Sequence, residues 1–141
     1  MRSIFSGLFG LTALVLASLS VQAETYSHFG STVEVRVEGK QVQIEYLFPR
    51  ADLPVKQGTV LFEGGVNEGT LRIEGTAYVF SSACGKFSYW VTGEFIDGDQ
   101  VLALHGAAPI VNRNTCKKVR DVWDTQNAHL VFSRDRRPIK E

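Results

Sequence analysis

Between residues 33 and 48 the chain alternates apolar and polar side chains almost without fault. Val33, Val35 and Val37 are separated by Glu34 and Arg36, and Val42, Ile44, Tyr46 and Phe48 repeat the spacing. A period of two puts all the apolar groups on one face of an extended strand, whereas a helix would scatter them around its axis. Gly39-Lys40 separates the two runs. A two-residue connection led by glycine suits a type I′ or II′ hairpin turn, where φ is positive. Pairing Val37 with Val42, Val35 with Ile44 and Val33 with Tyr46 leaves every apolar residue on one side, the consistency a true register shows.

The same rhythm continues beyond this hairpin, and no helix-period segment of useful length follows it. Pro49 and Pro54 end the second strand, because proline removes ladder donors. Further strands are expected at residues 59–63, 70–80, 87–96, 101–111 and 128–134, with a loop at 64–69. A register pairing Val79 with Tyr89, Ala77 with Val91, Gly75 with Gly93 and Ile73 with Phe95 keeps one face apolar. Gly75, Gly93 and Gly106 lie inside these strands, and glycine there marks a bulge, a bend or a close backbone approach. The fold class expected is all-β: an antiparallel meander of about seven strands forming a partly closed barrel or sandwich, with one disulfide. Gly58-Thr59-Val60-Leu61-Phe62-Glu63-Gly64 is echoed by Gly69-Thr70-Leu71-Arg72-Ile73-Glu74-Gly75. The echo is too short for a repeat array and reads as punctuation of neighbouring strands.

Residues 1–23 carry a different message. Arg2 precedes an apolar run, and Val21-Gln22-Ala23 closes it with a small residue at the end. This order is that of a secretory signal peptide, and the run is short of the ~20 residues that span a bilayer. The expectation is a periplasmic or secreted protein that begins near Glu24 and keeps no membrane anchor after cleavage. Residues 24–134 form a single β domain, and the charged stretch 135–141, which contains Pro138, is expected to be a disordered tail.

Cys84 and Cys116 are the only cysteines. In an oxidising compartment an even count reads first as a disulfide, and two cysteines allow one pairing. Closing a loop of about 33 residues stabilises a fold by ~3.7 kcal/mol in the chain-entropy model. The competing reading makes Cys84 a nucleophile with His105 or His129 as its base, which would require a thiol of lowered pKa.

A resemblance accompanies these residues. The run Gly75-Thr76-Ala77-Tyr78-Val79-Phe80, then Cys84-Gly85, Tyr89, Val91-Thr92-Gly93, Leu104-His105-Gly106-Ala107-Ala108-Pro109, Cys116 and Leu130-Val131-Phe132 resembles a family of small exported bacterial β domains. That resemblance covers most of residues 24–134, and the Pro49-Arg50 pair belongs with it. It implies export and a bonded Cys84–Cys116, and it implies no catalytic residues.

Several chemistries lack their signatures. Fifteen Lys and Arg balance fifteen Asp and Glu, so the overall field offers no footprint for nucleic acid. His28, His105 and His129 are scattered without ligand spacing, and no metal or cofactor is implied. Ser81 and Ser82 lack a nucleophile elbow, and Gly64-Gly65 has no helix behind it to cradle phosphate. Glu74 and Glu94 would face one another on the outer side, an arrangement that in solvent amounts to weak repulsion.

The aromatic residues are more suggestive. In the expected register Tyr78 pairs with Trp90 on the outer face, with Phe80 diagonal to them. An open aromatic cluster marks an interaction site, and a covered one belongs to the core. The cover could come from the Cys84–Cys116 loop, Trp123 or a second sheet. Arg50 is the polar residue expected to rim a cleft, with Asn112, Arg113 and Asn114. The candidate binding residues are therefore Tyr78, Trp90, Phe80 and Arg50. They suit a binding or interaction domain without a catalytic centre, accessory or inhibitor-like, whose partner is an envelope protein or a small ligand. The alternatives are an envelope hydrolase using Cys84 with a histidine and a carrier of a small apolar ligand.

Overall fold

The alternating segment at residues 33–48 forms the expected hairpin. In the computed structural model, which describes residues 21–134, β2 (Ser31–Glu38) and β3 (Gln41–Phe48) pair with Val37 opposite Val42, Val35 opposite Ile44 and Val33 opposite Tyr46. Ahead of them lies β1 (Gln22–His28), and after them come β4 (Val60–Val66), β5 (Ile73–Ser81), β6 (Gly85–Ile96) and β7 (Val101–His105). A short hairpin of β8 (Ala108–Asn112) and β9 (Lys117–Val122) follows. A single 3-10 turn at Gln126–Ala128 then leads into β10 (His129–Arg134). Residues 1–20 of the expected signal peptide and the expected tail 135–141 lie outside the described residues.

The sheet closes completely. Strands β1 to β7 run as an antiparallel meander, and β10 completes the circle between β7 and β1. Closure rests on Tyr26 opposite Arg134 and Ser27 opposite Ser133. A closed barrel has no free edge strands, which removes the open ladder of donors and acceptors that invites aggregation. The β8–β9 hairpin stands outside the barrel as a separate two-stranded sheet.

Inward positions alternate along the barrel strands, except in β4, where an irregularity of the β3–β4 ladder leaves Leu61 and Phe62 both buried. The inward side chains fill the lumen. Phe62, Phe132, Ile44, Leu102, Leu104, Leu130 and Val91 are fully buried, and burial of a side chain of this size contributes roughly 1.5–3 kcal/mol. Tyrosines line both ends. Tyr26 donates its hydroxyl to Asp99 O at 2.6 Å, and Tyr89 donates to Asn127 O at 2.5 Å. Burial raises the pKa of Tyr46 to about 12 and that of Tyr89 further, with the neighbouring Tyr46 adding to the second shift.

The structure corrects the sequence reading in particular places. The β5–β6 register is displaced by two residues, so that Ala77 faces Tyr89, Gly75 faces Val91, Val79 faces Phe87 and Ile73 faces Gly93. Both registers keep the same residues inside, so alternation could not choose between them. The tight turn closed by Ser81 and Gly85 does. Gly75 and Gly93 are therefore not partners, and Glu74 faces Thr92 while Glu94 faces Ala103.

The segment 101–111 is two strands rather than one, broken after His105. The segment 64–69 is only partly a loop, because Gly64, Gly65 and Val66 extend β4. Strand β5 starts at Ile73 instead of residue 70. Strands β1 and β9 are additional to those the alternation marks. The first begins inside the segment assigned to the signal peptide, with Gln22 opposite Val37 and Ala23 opposite Arg36. The second is almost wholly exposed and carries no apolar alternation.

Candidate functional site

Gly106 shapes a cleft on the outside of the barrel. A Cβ at this position would collide with the carbonyl oxygen of Trp90 and lie 3.0 Å from Val91 Cγ1. Only glycine therefore allows the chain to cross β6 this closely at the point where β7 ends. The Gly106 amide donates to Ala128 O at 3.1 Å, and the β8–β9 hairpin departs from there. At its far end the hairpin is tied back to the barrel. The Cys84–Cys116 disulfide links the β5–β6 turn to the β8–β9 turn, with Cα atoms 5.3 Å apart. Fixed at base and tip, the hairpin leaves a cleft on either side.

The first cleft, of about 440 Å³, lies between the outer wall of β6 and the hairpin. Gly106 and Ala107 are among its lining residues. Trp90 contributes from the barrel side and Trp123 from just beyond β9, with Thr92, Lys118 and Asp121 among the polar groups around them. Both indoles face solvent, Trp90 at 61% exposure and Trp123 at 58%. Trp123 is held by its backbone, since its carbonyl accepts a hydrogen bond from His129 Nε2 at 2.8 Å. Lys118 Nζ and Asp121 Oδ2 are paired at 3.1 Å, which leaves that part of the rim without excess charge.

The second cleft, of about 500 Å³, opens at one mouth of the barrel. Arg50, Leu53, Phe80, Ile110, Arg113 and Asn127 are among its lining residues. Phe80 sets its ring edge-on to Tyr46, with centroids 6.2 Å apart, and so belongs to the cover of the core. Arg50 is largely committed to the fold. Its Nη1 donates to Phe29 O at 2.6 Å, and its backbone amide donates to Ser31 Oγ at 2.8 Å. Its Nε lies 2.6 Å from Asp52 Oδ1 as an ion pair without the alignment of a directed hydrogen bond.

The four residues singled out from sequence do not meet at one point. Arg50 and Phe80 stand at the mouth, and Trp90 in the outer cleft. Tyr78 faces Ser88 rather than Trp90, which faces Thr76. The Tyr78 hydroxyl donates to Glu63 Oε1 at 2.5 Å, and Lys86 Nζ sits 4.5 Å from its ring centroid. The hydrogen bond to Glu63, more than burial, raises the Tyr78 pKa. Tyr78 is thus occupied by its own neighbours, and Trp123, considered from sequence only as a cover for Trp90, is itself exposed beside the same cleft. The signal that could have found this pair is the hinge glycine between them.

The reactive groups are also placed. Cys84 is bonded to Cys116, which leaves no thiol for nucleophilic chemistry. His105 and His129, far apart in sequence, are cross-strand partners between β7 and β10. His28 is buried, donating from Nδ1 to Val131 O at 2.9 Å and stacking on Phe132 with centroids 4.3 Å apart. Burial, with help from Arg50, lowers its pKa to about 4. Among the described residues no three His, Cys, Asp or Glu side chains converge as metal ligands.

These features define an eight-stranded antiparallel β barrel with a disulfide-tethered external hairpin. Comparison with protein families, with curated proteins and with solved structures finds no match.

Proposed function

We propose that the protein is an extracytoplasmic binding domain, accessory or inhibitor-like and without a catalytic centre. In this reading it is exported by removal of residues 1–23 and works in the periplasm or outside the cell, where the Cys84–Cys116 bond persists. The likeness to small exported bacterial β domains supports the same location. The observation that carries the binding role is the exposure of both tryptophans beside one cleft. Tryptophan is costly to leave in water and is the residue most enriched where a partner is gripped. The hairpin is held at both ends before any partner arrives, so little ordering entropy opposes binding.

The test is a comparison of retained material. Envelope extract is passed over the immobilised wild-type protein and over Trp90→Ala, and bound protein, lipid and glycan are identified. A component retained by the wild type and lost from the variant supports the proposal. Identical retention by the two would reject the cleft as the binding site.

A second reading, carriage of a small apolar ligand, is favoured by one feature, the mouth cleft with Leu53, Phe80 and Ile110 in its lining. The lumen itself is filled by side chains, so cargo would sit at that mouth. Mass spectrometry of gently extracted protein tests for it.

A further inference from the structure

We infer that the cleft between β6 and the β8–β9 hairpin is a saccharide-binding site for a neutral sugar, an inference that rests on the binding role proposed above. A pyranose ring is amphipathic: its faces present C–H groups and its edge presents hydroxyls that both donate and accept. A site for it needs flat apolar surfaces together with polar groups at their margins. Trp90 and Trp123 supply the surfaces from the barrel and the hairpin, while Ser88, Thr92, Lys118 and Asp121 supply the margin.

Size and charge narrow the class further. The cleft is about 440 Å³, within the range of small-molecule sites and short of the long groove that an extended peptide occupies. The Lys118–Asp121 pair provides donor and acceptor together and cancels in charge, which suits hydroxyls better than a phosphate or carboxylate. Gly106 and Ala107 line the cleft without bulky side chains, and Tyr89 and His105 complete its lining.

The chain contains two tryptophans and both line this cleft, so intrinsic fluorescence reports directly on its occupancy. The oxidised protein is titrated with neutral tri- and tetrasaccharides, chitotriose and maltotriose among them, and in parallel with a proline-rich peptide. The expected result is a saturable emission change with at least one saccharide at millimolar affinity or better. Affinity should fall about tenfold or more in Trp90→Ala and in Trp123→Ala. Trp90→Phe, which keeps a flat face, should recover part of the loss, and Trp90→Leu should not. Circular dichroism of each variant confirms that it is folded. An emission change with the peptide and none with any saccharide up to about 10 mM overturns the sugar assignment while leaving the cleft a binding site. No change with either, together with identical retention of envelope material by wild type and Trp90→Ala, overturns the binding role as well.

Discussion

Gly64 on β4 and Gly75 on β5 face each other directly across the ladder, and neither has room for a side chain. A Cβ on Gly64 would lie 2.8 Å from Gly75 Cα and collide with Glu74 O, and one on Gly75 would collide with Glu63 O. The two strands approach here more closely than side chains permit, as sharp coiling of a small closed barrel requires. Gly75→Ala should therefore destabilise the fold by ~2 kcal/mol or more, because the obstructing atoms are backbone and cannot rotate away. Urea denaturation measures it, and an unchanged midpoint would show that the strands can separate at no cost.

The same pair explains the echoed heptapeptide. Its two copies end at Gly64 and Gly75, the residues that meet. The repetition thus records a shared need of two neighbouring strands.

His28 gives the fold a sensitivity to acid. Its imidazole is 5% exposed and its pKa is lowered to about 4, against an unfolded value near 6.5. The unfolded chain therefore takes up the proton first. The stabilisation is fully present above pH ~6.5 and is lost as pH falls towards 4, amounting to ~3 kcal/mol. Stability measured across that window should decline for the wild type and decline less for His28→Gln, which keeps a donor but does not titrate there. Parallel slopes would mean that other groups govern the acid response.

The alternation that announced β2, β3 and the inner faces of β5 and β6 is a direct consequence of burial on one side, and it was legible for that reason. Features independent of that alternation were not. Moving β6 by two residues leaves Val91 and Tyr89 inside, so the register depended on a turn at Ser82–Cys84 that no pattern of hydrophobicity marks. Strand β9, with Lys117, Lys118, Arg120 and Asp121 exposed, buries no face to alternate. Strand β1 sends His28 inward, and a histidine does not read as core. The outer cleft was half legible: Trp90 stood out, but its neighbour Trp123 is 33 positions away in sequence and is brought there by the break at Gly106.

The disulfide should act mainly on the hairpin. Cys84→Ser combined with Cys116→Ser is expected to cost ~2–4 kcal/mol. Because the bond ties only the hairpin tip to the barrel, amide exchange at residues 108–122 should accelerate more than exchange in β2, β3 and β7. Uniform acceleration would place the bond's effect in the barrel as a whole.

Processing after Ala23 should leave the barrel closed. The cut would remove the pairings of Gln22 with Val37 and of Ala23 with Arg36, both at one end of β1. Tyr26 and Ser27, which join β1 to β10, lie beyond it. A chain beginning at Glu24 should therefore melt within a few degrees of one beginning at Gln22. N-terminal sequencing of the exported protein should find Glu24 first; a mature protein still carrying Met1 would refute the cleavage.

Trp90 and Val91 are adjacent on β6 and point to opposite sides, one 61% exposed and the other fully buried. Side-chain size and stability contribution should consequently run in opposite order. Val91→Ala removes methyl groups from a packed lumen and leaves a cavity, at a cost of ~2 kcal/mol. Trp90→Ala removes a far larger side chain from solvent, where truncation changes stability by no more than ~0.5 kcal/mol. Thermal melts of the two variants decide the matter. A larger fall for Trp90→Ala would show that the indole supports the barrel wall, and the exposed ring would then have a structural role instead of a binding one.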